Sequence, residues 1–124
     1  MTTPPPPGHP VYAPTPPMSP ADERLWATLT HVSGIVLSWL GPLVAYLVLR
    51  DRGPFIRAHA AGALNFQLTV LIAIAVSVPL MFVGIGFLTA PAVGIFALVV
   101  EIIAAMKANR GEWYTPPLSI RFVS

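Results

Sequence analysis

The chain contains no cysteine, which excludes disulfides, thiolate metal sites and thiol nucleophiles together. Charge is the next scarcity. Asp, Glu, Lys and Arg make up 10% of the residues, against about 25% in an ordinary soluble domain. Two long stretches, Leu25–Leu49 and Ala58–Val100, hold no charged residue. A helix needs about 20 apolar residues to cross the hydrocarbon core of a bilayer. The first stretch therefore has room for one crossing and the second for two. Also missing are a Gly-rich phosphate loop after a strand, a His/Glu pair at metal spacing, and a serine with a base in helical register. These absences predict a non-enzymatic integral membrane protein without cofactor or metal site.

Proline is abundant, and more than half of the 15 prolines precede Ala21. Proline lacks the backbone donor and fixes φ, so residues 1–19 read as a disordered polyproline-like tail. Helix begins at Ser19-Pro20-Ala21-Asp22, with serine as N-cap, proline at N1 and acids facing the positive end of the dipole. The expected fold is all-α: a bundle of three transmembrane helices over about 25–49, 60–84 and 88–107, within a domain at 20–112. Residues 113–124 read as an interfacial tail led by Trp113 and Tyr114. Within the first crossing, a kink is expected at Gly41-Pro42.

Small and polar residues recur on one face of each predicted helix, and in lipid such faces let backbones approach. The first face is Ala27, His31, Gly34, Ser38, Gly41 and Ala45. The second runs through Asn65, Thr69, Ala73 and Ser77, and the third through Gly94, Ala97, Glu101 and Ala104. The candidate bundle-interior polar residues are therefore His31, Asn65, Thr69, Ser77 and Glu101. A carboxylate such as Glu101 at bilayer depth costs several kcal/mol unless paired, neutral or wet. Under the three-crossing topology its expected partners are Asn65 or Tyr46. His31 falls near the opposite surface and is excluded as a partner.

The polar interruption Arg50–Gln67 carries Arg50, Arg52, Arg57 and His59, and these, with Lys107 and Arg110, are candidate contacts to cytoplasmic partners or lipid headgroups. Three crossings put six of the seven basic residues on the side of the 50–57 loop and the C-terminus, leaving only Arg24 opposite. The positive-inside rule then predicts a multi-pass protein of the cell membrane with loop and C-terminus cytoplasmic and the N-terminus outside. The net charge of +2 belongs to these flanks, so nucleic acid is not an expected partner. The expected partners are the lipid bilayer, other membrane proteins, or a second copy in a homo-oligomer.

Several short elements carry a resemblance: Pro42-Leu43, Arg50-Asp51, Pro54-Phe55, His59-Ala60 and the ALNFQ run at Ala63–Gln67. The DERLWATLTH start at Asp22–His31 and the GEWYTPPLSIRF end at Gly111–Phe122 fit it as well. Together they resemble a family of small bacterial multi-pass membrane proteins defined by a domain of unknown function. That family is related to the twenty-kilodalton subunit of the chloroplast inner-envelope import translocon, Tic. The resemblance implies a polytopic helical protein and no catalytic residues. Two functions follow as expectations: a non-enzymatic scaffold or accessory subunit of an envelope complex, or an oligomeric translocation or conductance component. A pathway needs polar faces that stay wet after packing, whereas a scaffold satisfies them internally.

Overall fold

The computed structural model describes residues 16–124; the proline-rich tail read from the sequence lies, over residues 1–15, outside them. The described chain forms four α-helices: α1 (Pro20–Leu37), α2 (Leu40–Leu49), α3 (Pro54–Leu80) and α4 (Gly86–Asn109). A 3-10 turn at Met81–Val83 and a left-handed Gly84 (φ 86°) reverse the chain between α3 and α4. Helices Pro54–Val83 and Gly86–Asn109 are long and apolar enough to cross a bilayer. The start of α1 is as expected, with Ser19 accepting a hydrogen bond from the Asp22 amide at 3.2 Å.

The single first crossing over 25–49 is not found. The helix breaks at Ser38-Trp39, where Ser38 takes φ 56°, and α2 runs back alongside α1. The Met18 amide donates to the Arg52 carbonyl at 2.7 Å, Leu49 packs with Ala27, and Gly41 sits so close to Ser33 that a Cβ there would collide with it. Pro42 explains where the break falls. A proline ring clashes with the carbonyl four residues earlier, and that carbonyl is Ser38's. The chain satisfies Pro42 by restarting the helix, which places it in the first turn of α2, where no amide is needed.

This hairpin corrects the expected topology. Both ends of α1–α2 lie at the same end of the bundle as the 50–57 loop, so residue 16 onward enters from the basic side and not the opposite one. Arg24 lies against Gly111, which brings the seventh basic residue to the end that carries the other six. The bundle core sits in the first half of α3. From His59 to Gln67 every residue is buried, because α1 and α4 cover one flank while α2 and the C-terminal segment cover the other. The tail at 113–124 is thus folded onto the bundle. Tyr46 Oη donates to the Ser124 carbonyl at 2.8 Å, and Val123 packs in a cluster with Tyr46, Ala60, Ala61 and Leu64.

Candidate functional site

A buried polar chain crosses the interior where α1, α3 and α4 meet. His31 Nδ1 lies 3.1 Å from Glu101 Oε2, and His31 Nε2 lies 3.0 Å from His59 Nδ1. His59 Nε2 is 2.9 Å from the Glu112 carbonyl. At the other end Gln67 Nε2 donates to Glu101 Oε1 at 3.3 Å and to the Gly34 carbonyl at 3.1 Å. His31 and Glu101 are both 0% exposed. Isolated, either group would be costly at this depth; linked, each answers the other's hydrogen-bonding need.

Local structure builds each part of the chain. The Schellman motif closing α4 has Gly111 at φ 77°, with Gly111 and Glu112 amides donating to the Ala108 and Lys107 carbonyls. It holds the Glu112 carbonyl over His59. Gly34 supplies the space, since a Cβ there would lie 3.0 Å from Gln67 Nε2 and 3.3 Å from Glu101 Oε2. The Phe55 ring meets His59 edge-on, with centroids 4.6 Å apart, and fixes its orientation.

The hydrogen-bond roles follow from chemistry. A backbone carbonyl only accepts, so His59 Nε2 carries a hydrogen, and a neutral His59 then accepts at Nδ1. His31 Nε2 must therefore donate. One proton remains for the bond between His31 Nδ1 and Glu101 Oε2, so the pair is either imidazolium–carboxylate or imidazole–carboxylic acid. The three side chains line up in series rather than converging on a point. Among the described residues no group of three or more His, Cys, Asp or Glu side chains could hold a metal ion.

The partners expected for Glu101 are thereby corrected. Its partners are His31 and Gln67, because the hairpin brings α1 in from the basic end and sets His31 level with Glu101. Asn65 and Tyr46 serve the C-terminal segment instead. Asn65 Oδ1 accepts from the Phe122 and Val123 amides, each at 2.9 Å, and Nδ2 donates to the Val123 carbonyl at 2.8 Å. Thr69 Oγ1 accepts from the Ile120 amide at 2.8 Å and donates to the Asn65 carbonyl. Near the far turn, Ser77 Oγ donates to the Ala73 carbonyl and accepts from Thr89 Oγ1 at 2.8 Å. Phe66 and Gln67, the neighbours of Asn65 and Thr69 on α3, are buried too. Residues two apart on a helix point to nearly opposite faces, and α3 is covered on both. His59, expected at the interface, belongs to the buried chain.

The basic residues lie toward the end of the bundle where His59 meets the Glu112 carbonyl. Arg50, Arg57 and Arg110 are exposed, Arg52 and Lys107 half-buried. Arg57 Nε donates to the Ser124 carbonyl at 3.2 Å, Arg52 Nε to the Pro16 carbonyl at 2.8 Å, and Lys107 lies 3.4 Å from the Glu112 carboxylate.

Comparison with curated proteins and with solved structures found no match. A family profile, described as the magnetosome magnetite crystal formation protein family, matches residues 22–123. That match replaces the resemblance to a domain of unknown function and to the plastid translocon subunit. The motifs behind the resemblance, His59-Ala60 and ALNFQ, are buried packing and hydrogen-bonding residues at a helix entry, a demand that many polytopic proteins share. With its two long apolar helices, the protein is a small multi-pass membrane protein. Spanning nearly the whole described chain, the match shows that this protein belongs to the magnetosome magnetite crystal formation family.

Proposed function

We propose that the protein is a membrane scaffold or accessory subunit in magnetite crystal formation, acting from within the bilayer at which the crystals form. Membership of the family supplies the process. The observation that carries the scaffold role is the internal satisfaction of the polar groups. Asn65, Thr69, Ser77 and Glu101 all find partners inside one chain, which leaves no polar face needing to be completed by a wide solute pathway. The outward surface is apolar, with Val36, Val48, Phe82 and Leu88 more than half exposed, as contact with lipid tails or neighbouring helices requires. All seven basic residues gather at one end, and that end faces the cytoplasm by the positive-inside rule.

The test is removal of the chain from a magnetite-forming cell, followed by complementation. Electron microscopy of the crystals should show reduced size or number without the chain, restored by the wild type. Crystals of unchanged size, number and shape in the deletion strain would sink the reading.

A further inference from the structure

The geometry points to a proton relay: Glu101, His31 and His59 pass protons between a groove under the α1–α2 turn and the basic end of the bundle. The first observation is the chain itself. It is continuous, buried and tautomerically determined, with a single proton in the His31–Glu101 bond and a donor at His59 Nε2 facing the Glu112 carbonyl. Hydrogen-bonded imidazoles in series are suited to transfer, since each ring accepts at one nitrogen while releasing at the other.

The second observation is the groove. Glu101 and Gln67 line a cleft of about 200 Å³ together with Gly34, Ser38, Gly94 and Ala97. The tip of the hairpin is at Ser38, level with Gly94. That is about 22 Å along α4 from its basic end at 1.5 Å per residue. Helix ends leave backbone carbonyls and amides without intrahelical partners, and no side chain caps the start of α2. Broken helix at bilayer depth persists only where protein or water meets those groups. Ser38 lines the same cleft as Glu101, so water drawn to the turn would enter beside the carboxyl.

The step balances as a proton translocation with no change of oxidation state. His59 exchanges its bond to the Glu112 carbonyl for one to a water at the basic end and releases its Nε2 proton to that water. The His31 Nε2 proton moves to His59 Nδ1, and the shared proton settles on His31 Nδ1. Glu101 is then a carboxylate and takes one proton from groove water, so one enters and one leaves. Both imidazoles finish in the alternate tautomer and must turn over to reset, which makes this a slow relay and not a channel. The ionisable groups around the path are His31 from α1, His59 from α3 and Glu101 from α4. Lys107 and Glu112, paired with each other, stand at the exit.

The inference does not rest on the crystal-forming role, and its test uses purified protein. The full-length chain is reconstituted in vesicles holding a pH-sensitive dye, and a potassium gradient with valinomycin drives proton entry. The wild type should acidify the lumen several-fold faster than empty vesicles. Glu101→Gln keeps the shape and a hydrogen bond to His31 but holds no transferable proton, and should fall to the empty-vesicle rate. His59→Gln is a second interruption, should Glu101→Gln fail to fold. A wild-type rate equal to that of empty vesicles overturns the relay, as does a folded Glu101→Gln or His59→Gln that conducts like the wild type.

Discussion

At the scale of the residue, Glu101 is where stability is most concentrated. Glu101→Leu leaves His31 Nδ1 buried without a partner and takes one of the two acceptors from the Gln67 amide, and breaking a buried pair this way costs about 3–5 kcal/mol. Glu101→Gln retains donor and acceptor and should cost well under half of that. Thermal unfolding of the reconstituted variants by circular dichroism distinguishes them; a Leu variant melting with the wild type would remove Glu101 as an anchor. Gly34 acts through space alone. Its missing Cβ makes room for Gln67 and Glu101, so Gly34→Ala overpacks the network at about 1–3 kcal/mol, readable in the same melts. Asn65 has a different task, holding residues 122–123 through three hydrogen bonds. Asn65→Ala should release the C-terminal segment, seen as faster amide exchange over 118–124 with the helices still protected.

At the scale of the element, the α1–α2 hairpin decides the architecture. Its tight contact runs through Gly41 against Ser33, and its closure through the Met18–Arg52 backbone bond. The native chain has no cysteine, so introduced ones report alone. Cysteines at Ser19 and at Asp51 should label from the same side of the membrane with an impermeant thiol reagent. Labelling from opposite sides would restore a full first crossing and dismantle the His31–Glu101 pair with it. The apolar run from Leu25 to Leu49 has the length of a crossing, which is why length and hydropathy favour one. Pro42 was legible as a disturbance. Whether a proline produces a kink or a reversal depends on what the second half packs against, and α2 packs against α3.

At the scale of the molecule, the hairpin gathers every basic side chain at one end while α3 and α4 continue to the other. Charge asymmetry then becomes complete, and orientation should be correspondingly sensitive to it. Replacing Arg50 and Arg52 together by Glu weakens the positive-inside signal at about the membrane surface. A fraction of the molecules should then expose Ser124 on the other side, as protease protection of a C-terminal tag would register. Unmixed topology in that variant would mean that α3 and α4 set orientation by other means. The same convergence folds the tail onto α3, so the C-terminal segment packs as part of the bundle.

Membrane residence, the helical class, the helix start at Ser19 and the isolation of Glu101 on a small-residue face are all properties of local composition and periodicity, and the sequence by itself determined them. Pairing is another matter. His31, the α3 pair His59 and Gln67, and Glu101 lie far apart in sequence, and their meeting depends on a turn at Ser38 that carries no glycine signal. A topology with the first segment crossing puts His31 at the wrong depth, so one misplaced turn removes both links made by His31. Only the tertiary structure decided that, because hydrogen bonding between helices is set by their relative depth and rotation, which no single segment's sequence contains.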